Sequence, residues 1–259
     1  MKLDLEQAVN TLVNFVKYET DKIGLKNAVI GLSGGIDSAL SAAIAVKAIG
    51  AERVYGLGLP YKLSSKESME DAMLVADALK INFEIKDITP FADPLIDSEP
   101  GIDKLRIGNI LARMRMVAIF DRSAKLGAVV LGTSNKTELL LGYCTWYGDL
   151  ASAINPIGDL YKTQVWAMSE YLNIPEKVIK KAPTGDLWEG QTDEKELGFS
   201  YKDVDKLLYE MVDKKRDKHE LIDMGFELDF VEKVEERIKK FQFKRKLPII
   251  GSVGNAFLA

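Results

Sequence analysis

Two serines, two glycines and an aspartate stand together in Ser33-Gly34-Gly35-Ile36-Asp37-Ser38. The glycines let a backbone approach a ligand closely, and the serines can donate hydroxyls. The run follows the apolar stretch Ala28-Val29-Ile30-Gly31-Leu32 and leads into an alanine-rich stretch over residues 36–49. A strand whose glycine turn opens a helix gathers unpaired N–H groups and the positive end of a helix dipole at one point, which suits phosphate. Asp37 would repel that phosphate unless a cation lay between them, so its presence implies a bound Mg²⁺. The spacing is neither the G-x-x-x-x-G-K-[ST] of a Walker A loop nor G-x-G-x-x-G.

A second acid stands in Leu131-Gly132-Thr133-Ser134-Asn135-Lys136-Thr137-Glu138. This run also leaves the end of an apolar stretch, where it can face the first loop. Asp37 and Glu138 would then offer oxygen ligands to one cation from two sides, as Mg²⁺ sites with phosphate commonly do. Ser134 or Asn135 can also cap a helix whose first turn Glu138 stabilises.

The elements that must position these groups follow from periodicity. Apolar spacing predicts a helix over residues 4–20, then a strand at 28–32 and a helix at 36–49. A strand at 53–59, a helix from Ser65 to residue 79 and a strand at 82–88 come next. A loop with Pro90, Pro94 and Pro100 precedes a long helix over 102–125, which Gly127 ends before a strand at 128–132. Strands alternating with helices imply an α/β fold, a doubly wound parallel sheet of about five strands with helices on both faces. Residues 133–200 read as site-serving loops interrupted by a helix over 162–172. Residues 201–243 read as extra C-terminal helices with a solvated, charged face.

The 259 residues, 47% hydrophobic, suffice for one large domain spanning 1–259. A net charge of -4 gives no electrostatic reason to expect a nucleic-acid partner. The lone Cys144 and lone His219 argue against a disulfide, a cysteine or histidine zinc site and a serine–histidine triad. Asp4 and Glu6 stand where a signal peptide would be basic, and no apolar run approaches the roughly 20 residues of a membrane span. The cytoplasm is the expected compartment.

The S-G-G-x-D-S loop resembles that of the ATP pyrophosphatases, which cleave ATP between the α- and β-phosphates and adenylate an acceptor oxygen. On its own it leaves open other amide- or nucleotide-forming members, and a non-catalytic nucleotide sensor. Further segments resemble the NAD synthetase family: Gly108-Asn109-Ile110-Leu111-Ala112-Arg113-Met114-Arg115; the Thr133 and Glu138 segment; Asn155-Pro156-Ile157-Gly158-Asp159-Leu160-Tyr161-Lys162-Thr163-Gln164; Ala182-Pro183-Thr184-Gly185-Asp186-Leu187-Trp188-Glu189-Gly190-Gln191-Thr192-Asp193-Glu194; and Lys244-Arg245-Lys246-Leu247-Pro248.

The resemblance implies that ATP is held by Gly31, Leu32, Ser33, Gly34, Gly35, Ile36, Asp37, Ser38, Thr133, Lys162 and Thr184, and Mg²⁺ by Asp37 and Glu138. It places deamido-NAD against Arg113, Trp146, Asp149, Phe243 and Lys244. Trp146 and Ala153 stand where many members have a lysine and an aspartate, and Phe243 where many have a histidine. Trp146 is offered as a ring to stack on the substrate, and Asp149 as the group that orients dinucleotide or ammonium; an Asp149 turned away from the cleft would refute the latter. Together with Asp37, Glu138 and Lys162, Asp149 completes the expected catalytic set.

The implied reaction is amidation of deamido-NAD by ammonia, through an acyl-adenylate, with AMP and pyrophosphate released. Glutamine-using members carry an N-terminal amidase domain, for which residues 1–27 leave no room, so ammonia is the expected donor. The resemblance further implies a homodimer with the dinucleotide site near the interface.

Overall fold

The computed structural model describes residues 2–185, 192–246, 248 and 250. Positions 186–191 and 247 of the motifs above lie outside the described residues.

Helix α1 (Leu5–Ile23) starts where the Asp4 carboxylate accepts from Gln7 N and stops at Gly24, whose φ of 80° suits a residue without Cβ. Strand β1 (Asn27–Gly31), helix α2 (Ile36–Ile49), strand β2 (Val54–Gly58), helix α3 (Lys66–Leu79) and strand β3 (Asn82–Ile85) follow in alternation. Helices α4 (Thr89–Asp97) and α5 (Lys104–Leu126) then lead to strand β4 (Ala128–Leu131).

All pairings are parallel, in the order β3-β2-β1-β4. The chain winds outward from β1 to β3 and then crosses back through α4 and α5 to lay β4 on the far side of β1. Loops leaving neighbouring β1 and β4 therefore diverge and open a crevice at the carboxyl ends of the strands.

The period-two alternation of the strands sorts their side chains into two cores. Ala28 and Ile30 of β1 and Val129 and Leu131 of β4 face a core shared with α1, α2, α3 and α7 (Lys162–Tyr171). Val29, Ala128 and Val130 face the opposite core under α4 and α5. Every residue of β4 is buried, as expected of a strand covered on both faces.

Two expectations need correction. Among the described residues the sheet has four strands, not about five. The segment beside β4 makes only the single parallel bridge between Leu131 and Ile154. Pro156 has no N–H to extend a ladder, and the Asn155 amide turns to the Ser134 carbonyl at 2.9 Å. The proline-rich loop is also not a loop throughout. Helix α4 accepts Pro90 in its first turn, where an N–H lacks an intrahelical partner anyway, and carries Pro94 inside. Its buried Ala92, with Ile88 just before it, packs into the core under α5.

Past β4, helices α6 (Lys136–Leu141), α8 (Glu176–Lys180), α9 (Asp193–Leu197), α10 (Tyr201–Leu208), α11 (Lys218–Asp223) and α12 (Leu228–Phe241) complete the described chain. Leu141, Leu197, Val204, Leu207, Leu221 and Val234 give these helices a core of their own, so the charged C-terminal region is a packed layer with a solvated outer face. No helix among the described residues is long and apolar enough to cross a membrane.

Candidate active site

The loop between β1 and α2 is held open by its own hydroxyls. Ser33 Oγ lies 3.2 Å from Ser38 Oγ and accepts from Gly35 N, while Ser38 Oγ donates to Gly35 O at 3.0 Å. Gly34 has φ 76°, and a Cβ there would collide with the Ser68 carbonyl. Gly35 occupies the N-cap of α2 without a side chain to satisfy the first-turn N–H groups. Those groups remain available to a ligand.

Asp37, in that first turn, meets two groups from distant parts of the chain. Its Oδ1 accepts from Asn135 Nδ2 at 2.9 Å, and its Oδ2 pairs with the Lys162 ammonium. Asn135 is the N-cap of α6: its Oδ1 accepts from Glu138 N, and Glu138 Oε2 accepts from Asn135 N. This reciprocal cap aims the other Glu138 oxygen at Lys162, 3.7 Å away. Capping and ligand roles of Asn135 and Glu138 are therefore compatible, because one geometry serves both.

Lys162 opens α7 with a side chain 2% exposed. Its Nζ lies 5.3 Å from the centre of the Tyr201 ring and 5.9 Å from that of Trp166. Burial lowers the Lys162 pKa, but the charges of Asp37 and Glu138 outweigh it and keep the ammonium fully charged. Glu138 is displaced in the other direction. Burial, and then the Asp37 charge, raise its carboxyl well above the ordinary range.

Asp205 of α10, completely buried, wires this centre to the scaffold. One oxygen accepts from Thr137 Oγ1 at 2.6 Å and the other from Thr163 N at 2.7 Å. Thr137 Oγ1 in turn accepts from Lys162 N at 3.0 Å. A single carboxylate so fixes the starts of α6 and α7, the helices that carry Glu138 and Lys162. Asp193 supplies a further buried acid, held by the hydroxyls of Tyr201 (2.9 Å) and Tyr143 (3.2 Å). Burial raises its carboxyl, and Lys162 opposes that rise. Sequence reading missed Asp193 as a site residue, although it stands in the T-D-E part of a noted motif. It had no signal for Asp205, whose partners are 68 and 42 residues away.

These groups face a cleft of about 640 Å³. Gly31, Leu32, Ser33, Gly35, Ile36, Asp37, Ser38, Thr133, Glu138, Asp149, Lys162, Thr184 and Lys244 all line it. Asp149 thus faces the cleft rather than turning away. Its Oδ1 accepts from Thr145 N at 2.6 Å, and although its surface is open to the cleft, the surrounding protein walls raise its carboxyl. Lys244 Nζ donates to the carbonyls of Gly142 (2.9 Å) and Cys144 (2.6 Å).

Arg113, Trp146 and Phe243 are not brought into this wall, and Gly34, packed against Ser68 and Asp71, does not line it either. Arg113 Nη2 donates to the Trp146 carbonyl at 3.2 Å, and Trp146 packs edge-on against Phe243 with ring centres 5.2 Å apart. They form a small aromatic cluster beside the cleft. Burial, and then the Asp149 charge, push the Cys144 thiol up to about 12, which leaves it protonated and a poor nucleophile.

The NAD synthase family profile matches residues 8–248. The NH3-dependent NAD(+) synthetase of Trichlorobacter lovleyi is 53% identical over 93% of this chain and 89% of its own. The structure of the NH3-dependent NAD synthetase from Campylobacter jejuni superposes with a TM-score of 0.83 at 34% identity, covering 96% of this chain and 100% of that one. The NMN synthetase of Francisella tularensis gives a TM-score of 0.86 at 31% identity, covering 96% and 99%. With the profile spanning nearly the whole chain, and relatives matched almost end to end, the chain belongs to the NAD synthase family.

Proposed function

We propose that this protein makes NAD from deamido-NAD, ATP and ammonia. The observation that carries the reading is the Asp37–Lys162–Glu138 cluster, built around a buried lysine beside a phosphate-type loop, in a chain of the NAD synthase family.

A nicotinate carboxylate resists attack by ammonia, so its oxygen must first be made a leaving group. The carboxylate oxygen attacks the α-phosphorus of ATP, the α–β bridge breaks, and pyrophosphate departs. Ammonia then adds to the acyl-adenylate carbonyl and AMP leaves, with a proton released. The loop from Gly31 to Ser38, all of which except Gly34 lines the cleft, is assigned to receive the phosphates on its N–H groups and hydroxyls, and Lys162 to offset charge on the departing pyrophosphate. Thr133 and Thr184 wall the same cleft. No side chain need become a covalent intermediate, in keeping with a protonated Cys144.

The donor set fits Mg²⁺. Asp37 and Glu138 converge from two elements on one positive charge, and no third acid, histidine or cysteine joins them as a metal cluster among the described residues. Two carboxylates plus phosphate oxygens satisfy Mg²⁺, which when bound would neutralise the triphosphate.

Asp149 and Lys244 line the cleft beyond the phosphates and are assigned to deamido-NAD and the incoming ammonia, with Arg113, Trp146 and Phe243 at its rim. A homodimer would complete that rim. The exposed Phe91, Leu95, Leu105, Val117 and Phe120 of α4 and α5 give such an interface apolar material. The reaction is assigned to the cytoplasm.

The test is purified protein with ATP, Mg²⁺, deamido-NAD and ammonium chloride, with NAD followed by a coupled dehydrogenase and AMP measured in parallel. Ammonia-dependent NAD with equal AMP is expected. Nicotinic acid mononucleotide is the second acceptor to run, because the fold is shared with an NMN synthetase. A clear preference for it would move the assignment, and ATP cleavage with neither acceptor would overturn it.

A further inference from the structure

Asp71 of α3 is completely buried, yet its carboxylate carries two ammonium partners. Lys177 Nζ lies 2.7 Å from Oδ1 and Lys181 Nζ 2.8 Å from Oδ2. Burial alone would raise this carboxyl, but hydrogen bonds from Lys177 and Lys181 outweigh it and hold it below the usual range. One carboxylate is shared between two ammonium groups, and Glu67 is a second counter-charge for Lys177.

The two lysines are placed differently. Lys177 reaches Asp71 from the outer surface, is 48% exposed and also lies 3.6 Å from Glu67. Lys181 is 20% exposed and lines the cleft with Ser33, Ser38 and Lys162. Its Nζ also donates to Ser68 Oγ at 3.2 Å. Ser68 and Asp71 are the residues against which Gly34 of the phosphate loop is packed too tightly for a side chain. The Lys181 ammonium thus sits on the α3 side of the loop, while Lys162 comes from α7. An ammonium has three donors, and Asp71 and Ser68 take two.

We infer that Lys181 is a second phosphate-binding lysine, which holds the β- and γ-phosphates of ATP and then the leaving pyrophosphate, while Lys177 stays on Asp71 as its counter-charge. This rests on the reaction proposed above. Two ammonium groups lining one cleft match a pyrophosphate better than one, because its charge grows as the α–β bridge breaks.

The test compares wild type, Lys181→Met, Lys181→Arg and Lys177→Met. Magnesium pyrophosphate and AMP are titrated both as product inhibitors and directly by calorimetry. Lys181→Met is expected to weaken pyrophosphate binding about ten- to a hundredfold, the value of a charge-assisted hydrogen bond. AMP, which lacks those phosphates, should bind within about twofold of wild type, Lys181→Arg should recover part of the loss, and Lys177→Met should bind pyrophosphate nearly as wild type. Equal losses of AMP and pyrophosphate, or equal losses in the Lys177 and Lys181 variants, would make Lys181 a structural partner of Asp71 and overturn the inference. Wild type that binds pyrophosphate but forms no NAD would instead count against the proposed reaction, and calorimetry would still decide the role of Lys181.

Discussion

The two ends of the cleft are built in contrasting ways. At the proposed phosphate end the charged groups are tied to groups from distant elements: Asp37 to Asn135 and Lys162, Glu138 to Lys162, and Asp205 to the starts of α6 and α7. At the far end Lys244 and Arg113 spend their hydrogen bonds on backbone carbonyls, and Trp146 meets only aromatic neighbours in its ring contacts. The first end is organised before a ligand arrives. The second offers groups that must change partners, or gain them from another copy, to grip a substrate. Under the proposed reaction, preorganisation is concentrated where charge would develop in the transition state, which is where it contributes most to rate.

Lys162→Met should have the largest effect. It removes the ammonium between Asp37 and Glu138, and NAD formation is expected to fall by about 10²–10³-fold. The half-buried carboxylates would also lose their counter-charge, so circular dichroism and melting must accompany the rate. A rate near wild type would erase the distinction between the two ends. Glu138→Gln ranks next. Glutamine retains the reciprocal cap with Asn135, so α6 should stay formed while the second carboxylate charge disappears. The Mg²⁺ concentration for half-maximal activity is then expected to rise by about ten- to a hundredfold. An unchanged magnesium titration would reduce Glu138 to a helix cap.

This contrast also explains how much the sequence disclosed. The phosphate loop was legible because its function needs particular residue types at fixed local spacing: Gly34 for its φ of 76°, Ser33 and Ser38 for mutual bracing, Asp37 in the first turn. The elements up to β4, with α4 as the exception, were legible for a similar reason, since buried strands and amphipathic helices write their period into consecutive residues. Asp205 and Asp193 left no such trace, because their partners are joined only by the fold. The expected count of about five strands named no fifth segment, and beside β4 the pairing stops after the single Leu131–Ile154 bridge, with Pro156 next to Asn155. Trp146 and Phe243 were named from a resemblance, and it is their placement beside the cleft that only the structure could supply.

A smaller effect is expected where the rim is cut. Trp146→Ala removes the edge-on contact to Phe243, which contributes on the order of 0.5–1.5 kcal/mol. If the rim serves the dinucleotide, the KM for deamido-NAD should rise about two- to tenfold with the KM for ATP unchanged. Equal rises in both would mean that the aromatic cluster merely supports the cleft and that the two ends are not separate.

The smallest effect is assigned to Cys144, which lines the cleft between the two ends. A thiol attacks as the thiolate, and burial with the neighbouring Asp149 charge pushes this one up to about 12. At pH 7.5 the thiolate fraction is negligible; it grows only as the pH climbs toward that value. Iodoacetamide should therefore modify the native protein far more slowly than it modifies the same protein unfolded in guanidinium, with the native rate rising steeply above about pH 10. Cys144→Ala should keep NAD formation within about twofold of wild type, since the residue gives Lys244 only its backbone carbonyl, and alanine keeps it. Rapid alkylation at neutral pH that also stopped turnover would place a reactive thiolate inside the cleft, and the chemistry could no longer be assigned to charge and position alone.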